Sequence, residues 1–347
     1  MSHKVVLPLK LSGESLKYPQ WFAEQDIEFE ARWCPTEQQA IDLAKDADAV
    51  IVEGSQRPMT RAIIEGLDRC RILAGTQIGF DTFDLAAASE GGILVTNVPG
   101  YCVEEVSDHA MALLLACSRR VVQLHAEVSG GGWGFGPASS RIQGVIRPNI
   151  GGLRGKTLGL FGFGAIGKSM VSKARGFGMR VVACDPYADD AVASQEQVEL
   201  VDLPTLLAES DFVSIHAALA DETKGMFDRA AFSQMKSTAC LINTARGGFV
   251  NEDDLYDALS QGQIGMAALD VLGAEPPVEV PRLMSLENFV CTGHLAFFSP
   301  QALATQWRRP VDEVLRVLNG EWPVALRNPE AKDRHIERFG PMKDPAV

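Results

Sequence analysis

Residues 156–185 read Lys156-Thr-Leu-Gly-Leu-Phe-Gly-Phe-Gly-Ala-Ile-Gly-Lys-Ser-Met-Val-Ser-Lys-Ala-Arg-Gly-Phe-Gly-Met-Arg-Val-Val-Ala-Cys-Asp185. A short apolar run, 156–163, has the look of a buried strand. It leads into Gly162-Phe-Gly-Ala-Ile-Gly167, and helix formers follow to Phe177, where Gly178 stops them. A second β-rich run, 180–184, ends at Asp185, 18 residues beyond Gly167. In a chain with 32 glycines, GxGxxG alone is weak, and a purely structural glycine turn is the competing reading. The strand–glycine–helix–strand–acid context is what a dinucleotide fingerprint requires. Gly162 would allow the tight turn, Gly164 the approach of a pyrophosphate, and Gly167 close packing of helix on strand. The helix start at Ala165 and Ile166 offers free N–H groups to phosphate oxygens. Asp185 would accept from ribose hydroxyls and repel a 2′-phosphate. Pro186 and Tyr187 follow with no Arg, which favours NAD over NADP.

The alternation extends in both directions. Downstream, strands are expected at 212–215, 239–243, 265–269 and 289–292, with helices at 203–209, 230–235 and 252–261 between them. A last helix spans 300–318 and ends at Gly320. Upstream, strands at 4–8, 27–33, 49–53, 71–75 and 94–98 alternate with helices at 36–45, 60–67 and 84–89. Strands separated by helices imply right-handed βαβ units and parallel sheets, hence an α/β fold. Residues 102–128 read as one long helix, apolar nearly all round from His109 to Cys117, as buried helices are. A glycine-rich loop, 129–155, follows it.

Composition sets the outer bounds. The 347 residues are 46% hydrophobic and 22% charged, an ordinary globular balance. At roughly 150 residues per domain the length suggests two domains. A formal net charge of −13 without a basic block argues against nucleic-acid binding. No apolar run reaches the ~18 residues that span a bilayer, and the apolar stretch 5–9 is too short for a signal-peptide core. The seven cysteines form no CxxC pair, which suits reduced thiols in a cytoplasmic protein. The six histidines form no ligand-spaced cluster, so no metal is expected.

Three further polar residues stand at or just past expected strand ends: Arg246 in Asn243-Thr-Ala-Arg-Gly-Gly248, Glu275 after Asp270-Val-Leu-Gly-Ala, and His294 after Val290-Cys-Thr-Gly. Ligands of open α/β sheets bind outside the carboxyl ends of the strands, so the three could face one crevice. Arg246 offers a fork that suits a carboxylate. His294 could carry a proton to or from a substrate oxygen, with Glu275 orienting it. Singly, each has a bland reading as a surface charge, a hydrogen-bonded structural His or a solvated loop acid. Their joint placement after a dinucleotide fold carries the argument.

Together with Gln77-Ile-Gly-Phe-Asp-Thr-Phe-Asp84, Asn97-Val-Pro-Gly100 and Leu269-Asp-Val271, these motifs make residues 49–326 resemble the D-isomer-specific 2-hydroxyacid dehydrogenase family. Within it, Val98-Pro-Gly-Tyr-Cys-Val-Glu-Glu-Val-Ser-Asp-His109 and His294-Leu-Ala-Phe-Phe-Ser299 look closest to the C-terminal-binding-protein-like branch. The resemblance implies a Rossmann cofactor domain (102–295) inserted into a flavodoxin-like substrate domain (1–101 and 296–347). It implies a homodimer built largely through the cofactor domains. It also implies NAD(H)-dependent hydride transfer between nicotinamide and C2 of a 2-oxo or D-2-hydroxy acid.

By the same resemblance Arg246 binds the substrate carboxylate, His294 is the acid/base and Glu275 its partner. Asp270 would hold the nicotinamide carboxamide. Ile78 and Gly79 would offer backbone N–H groups to the carboxylate, and Ser55 and Phe297 would lie near the substrate's other end. His216, Ala217 and Thr223 would pass beside the adenosine, with Thr244 and Ala245 also on the cofactor. Two departures stand out: Gly293 where the family usually has Pro before the catalytic His, and Ala218 where it has Pro after His216. The neutral segment Gly54-Ser55-Gln56 disfavours a phosphate-bearing substrate, and Phe297 hints at an apolar one. Formate dehydrogenase, which pairs its His with Gln, is a weaker match. An NAD(H)-sensing, corepressor-like binding protein remains the alternative from a different class.

Overall fold

The computed structural model describes residues 3–345 except residue 55, and the chain forms two compact units, residues 1–101 with 299–347, and Cys102–Phe298. The first unit opens with strands β1 (Lys4–Leu7), β2 (Glu28–Ala31), β3 (Ala49–Val52), β4 (Ile72–Gly75) and β5 (Leu94–Thr96). Helices α1 (Tyr18–Ala23), α2 (Glu37–Ala44), α3 (Arg61–Glu65) and α4 (Leu85–Glu90) connect them. Thr36 caps α2 as a helix-start residue should, accepting from the Gln39 amide at 3.3 Å. All pairs are parallel in the order β2-β1-β3-β4-β5, the flavodoxin-like order.

The second unit begins with α5 (Val103–Arg119) and α6 (Val121–Ser129). The sequence predicts one helix here. The chain instead breaks at Arg120, which sits at φ +54 with its guanidinium on the Met266 sulfur and the Asn149 carbonyl. No Gly or Pro marks this break. The glycine-rich segment that follows holds only short helical turns. Strands β6 (Thr157–Phe161), β7 (Arg180–Cys184), β8 (Glu199–Leu200), β9 (Phe212–Ile215), β10 (Cys240–Asn243), β11 (Met266–Leu269) and β12 (Phe289–Cys291) form a parallel sheet. Helices α7 (Ala165–Gly176), α8 (Asp190–Gln195), α9 (Leu203–Glu209), α10 (Arg229–Gln234) and α11 (Glu252–Ser260) cross between them. The order β12-β11-β10-β9-β6-β7-β8 is the Rossmann order with one strand added. The short α8 and β8 are not among the elements expected from the sequence.

Alternate strand residues feed cores on opposite faces, as a pleated sheet requires. Leu158 and Leu160 of β6 pack with Met111, Leu114 and Met170 from α5 and α7, whereas Phe161 joins Leu206, Phe232 and Leu255 from α9, α10 and α11. Burial on both faces explains why these strands read as continuous apolar runs.

The chain then returns to the first unit as α12 (Pro300–Leu318) and α13 (Lys332–Phe339). Val311, Val314 and Val317 of α12 cover the face formed by Val5, Leu7, Ile72 and Leu94. Beyond α12 the chain seals the edge of β5. Leu326 bridges Thr96 in antiparallel sense, and the Arg327 amide donates to the Val95 carbonyl at 2.8 Å. The fully buried Asn328 accepts from the Val95 amide at 2.8 Å and donates to the Ile93 carbonyl at 2.9 Å. Removing it leaves two buried backbone groups without partners. Asn328→Ala is therefore expected to destabilise the first unit by about 2–4 kcal/mol, read as a lower urea midpoint with NADH affinity retained.

Candidate active site

Six neighbouring strands of the larger sheet, β12, β11, β10, β9, β6 and β7, deliver their following residues to one edge because all run parallel. The edge collects Thr292–His294, Asp270, Thr244–Arg246, His216, the glycine turn and Asp185.

The glycine turn has the shape a pyrophosphate needs. Gly162 adopts φ +100, and a Cβ there would lie 2.4 Å from the Ala217 amide nitrogen. A Cβ on Gly167 would lie 2.4 Å from the Gly162 carbonyl oxygen, so helix and strand pack directly on each other. A Cβ on the exposed Gly164 would meet nothing within 4 Å, and no side chain caps α7 there. The first turn of α7, at Ala165 and Ile166, thus presents amides and a positive dipole end to open space. Asp185 accepts from the Phe163 amide at 2.8 Å and the Tyr187 amide at 2.9 Å, which fixes its carboxylate beside the glycine turn. Its remaining lone pairs suit a vicinal diol.

The buried atoms His216 Nδ1 and Thr244 Oγ1, just past β9 and β10, have no hydrogen-bond partner among the described residues. Burial pushes the His216 imidazole down to about 4, so the ring is neutral at neutral pH. These orphaned groups and the open cradle fit a dinucleotide. Thr223 lies in a short 3-10 turn, its hydroxyl bonded to Ala220.

After β10, the Asn243 carboxamide donates to the Arg246 carbonyl at 2.8 Å and accepts from the Ala245 amide at 2.9 Å, setting the turn that carries Arg246. A Cβ on Gly247 would stand 1.9 Å from the Leu272 carbonyl carbon. Only glycine lets residues 272–275 lie against the Arg246 turn, and this contact brings Glu275 to the edge. Glu275 Oε1 accepts from the Leu272 amide at 2.7 Å, and Oε2 lies 2.5 Å from His294 Nδ1. The second ring nitrogen of His294 is thereby the one available for proton exchange. The Phe297 ring stands edge-on to the His294 ring at 6.3 Å.

The Asp270 carboxylate, which the resemblance sets at the nicotinamide carboxamide, is engaged by neighbouring groups of this chain. Its side chain has no solvent exposure. Oδ1 accepts from the Thr292 hydroxyl at 2.5 Å and the Leu295 amide at 3.0 Å, and Oδ2 from the Ala296 amide at 2.9 Å. The carboxylate is thus turned into the His294 turn. Thr292 itself, and His109 on its far side, were not legible as site residues. They stand 183 positions apart in the chain, so no local spacing could link them.

In the first unit the loops after β3 and β4 are tied together, the Gly54 amide donating to the Gln77 carboxamide at 2.9 Å. The Asn97 carboxamide donates to the Ile78 carbonyl at 2.5 Å, which fixes the Ile78–Gly79 backbone. Ser55 lies outside the described residues. Among the described residues no group of three or more His, Cys, Asp or Glu side chains could hold a metal ion.

The chain matches the family described as D-isomer specific 2-hydroxyacid dehydrogenase, NAD binding domain, over residues 111–296. It is 36% identical to a glyoxylate reductase of Korarchaeum cryptofilum over 85% of this chain and 87% of that one. It is 34% identical to a D-3-phosphoglycerate dehydrogenase of Methanocaldococcus jannaschii over 82% of this chain, of which it spans only about half, 52%. The apo D-lactate dehydrogenase of Escherichia coli superposes with a TM-score of 0.76 at 30% identity, covering 93% and 99% of the two chains. The chain belongs to the D-isomer-specific 2-hydroxyacid dehydrogenase family, NAD-dependent enzymes, and the Cys102–Phe298 unit contains its NAD-binding domain.

Burial alone would raise the Glu275 carboxyl. The hydrogen bonds from His294 and the Leu272 amide, with the charges of His294 and Arg246, outweigh it and hold the group below its ordinary 4.5. The folded-state value thus lies under the unfolded one. The pairing adds stability above about pH 4.5, and this is lost as pH falls through the lowered value. Glu275→Gln is expected to unfold more easily than the parent at pH 7, with the gap closing in acid, as pH-dependent denaturation midpoints will show.

Proposed function

We propose that the protein reduces a small or apolar 2-oxo acid with NADH, or oxidises the matching D-2-hydroxy acid, at the Arg246–Glu275–His294 edge. The observation that carries this is the 2.5 Å His294–Glu275 pair on the same sheet edge as the dinucleotide cradle. When bound, the nicotinamide supplies the hydride that substrate C2 accepts. Arg246 clamps the substrate carboxylate, which is positioning catalysis. The free ring nitrogen of His294 donates a proton to the developing alkoxide, and the Glu275 carboxylate stabilises the imidazolium. The glycine turn, Ala165, Ile166 and Asp185 hold the pyrophosphate and ribose, with His216, Ala217, Thr223, Thr244 and Ala245 along the cofactor. Asp270 lies at the nicotinamide carboxamide and also organises the His294 turn. The 102–298 unit is the cofactor domain and the flanking segments are the substrate domain.

The substrate's far end is read from the loop after β3. Arg57 donates to the Cys34 carbonyl within the first unit, so its charge is turned inward. A phosphorylated acid is disfavoured on that account, and Phe297 favours an uncharged side chain. Among the described residues no helix is long and apolar enough to cross a membrane, and no two cysteines are joined by a disulfide. We place the enzyme in the cytoplasm.

NADH oxidation against glyoxylate, hydroxypyruvate, pyruvate, 2-oxoisocaproate and phenylpyruvate is expected to show rapid turnover of at least one. His294→Ala should lower kcat by about 10²–10⁴-fold, with NADH affinity retained. Absence of turnover across the panel with NADH bound would favour the NAD(H)-sensing alternative instead.

A homodimer is part of the proposal. No residue of α6 is buried, and Val121, Val122 and Val128 on it, with Trp133, Phe135 and Val145 beyond it, are all exposed. This much uncovered apolar surface on one segment supports the reading that it is an interface. Light scattering should give twice the chain mass, and Val122→Glu with Trp133→Glu should give a monomer.

A further inference from the structure

His294 stands in an unfavourable backbone. Gly293 has φ +69 and His294 φ +62, two successive left-handed residues, which a β-carbon-bearing residue adopts only when its surroundings impose it. What imposes it is Asp270. Its carbonyl accepts the His294 amide at 2.5 Å, and its carboxylate accepts the Thr292 hydroxyl ahead of the histidine and the Leu295 and Ala296 amides after it. The Thr292 oxygen also lies 2.9 Å from His109 Nε2. A hydroxyl has one proton, and here it goes to Asp270. His109 must therefore donate, which fixes its ring with the proton on Nε2, 3.7 Å from Asp270 Oδ1. This explains a polar ring on a helix whose neighbours Ala110, Met111, Leu113 and Leu114 pack into the core.

We infer that Thr292 and His109 are positioning residues: through Asp270 they hold the left-handed turn that aims the His294 imidazole at Glu275 and the substrate. The inference rests on the acid/base reading of His294. Neither residue touches the reacting atoms in that reading. Their loss should lower kcat and leave both cofactor affinity and substrate KM largely unchanged.

The test pairs variants that remove a hydrogen bond with variants that keep it, on the full chain with NADH and the best acid of the panel. Thr292→Val keeps the shape and deletes the hydroxyl, and Thr292→Ser restores it. His109→Leu deletes the donor, and His109→Gln supplies an amide N–H in its place. Thr292→Val and His109→Leu are expected to lose about 10–100-fold in kcat, as outer-sphere partners of a reactive ligand do. The Ser and Gln variants should recover most of that rate. NADH dissociation constants, from fluorescence, should stay within about twofold of the parent in all four. If Thr292→Val fails to fold, the His109→Leu and His109→Gln comparison decides alone. A kcat within twofold of the parent in folded Thr292→Val and His109→Leu, or a rise in NADH dissociation constant that tracks the loss of rate, overturns the inference. His294→Ala, run alongside, separates the two levels. If it still turns over, the acid/base reading has failed. If it is inactive while Thr292→Val is fast, only the positioning role has failed.

Discussion

All seven strands of the larger sheet run parallel, and the site depends on that constraint. Parallel neighbours need a crossover for every pairing, so each strand end at one edge opens into a loop. Gly162, Asp185, His216, Arg246, Asp270 and His294 come from separate βα or strand-end loops, yet they share an edge because their strands share a direction. The same constraint makes both sheet faces apolar and leaves the edges to carry polarity. The candidate chemistry therefore needs no polar cavity cut through the core.

Contacts between loops refine what the sheet supplies. The backbone of residues 272–273 lies so close to Gly247 that no side chain could stand there, and Glu275 follows from that contact. Asp185 spends two acceptor positions on backbone amides before any ribose arrives, which makes its charge a fixed feature of the turn. Asp270 goes further, since its carboxylate is wholly taken into the protein. Three acidic residues past two strand ends, Asp185 after β7 and both Asp270 and Glu275 after β11, thus take three different sets of hydrogen-bond partners.

The parts legible in the sequence are those whose physics is local. Gly162, Gly164 and Gly167 announce a turn, an opening and a close packing within six residues, and alternating apolar runs announce the sheets. Arg246, Glu275 and His294 could be grouped because each follows a strand. The break at Arg120 was hidden because its stabilising contacts, Met266 and Asn149, lie far along the chain. The pairing of His109 with Thr292 and the sealing of β5 by Asn328 were hidden for the same reason. The hydrogen bonds of Asp270 to Thr292, Leu295 and Ala296 were hidden likewise, since those partners lie 22 to 26 residues on. Where a residue's partner is remote, spacing carries no signal.

The return of the chain to its first unit has a consequence for synthesis. When residues 1–101 have emerged, their five-stranded sheet lacks α12 over one face and has an open edge at β5. The whole second unit, residues 102–298, is made before either defect can be repaired. An unpaired strand edge is a template for pairing with other chains, and domains complete themselves in order of synthesis. The unit translated first is thus finished last, and the Rossmann unit is built while its neighbour waits for the residues that close it.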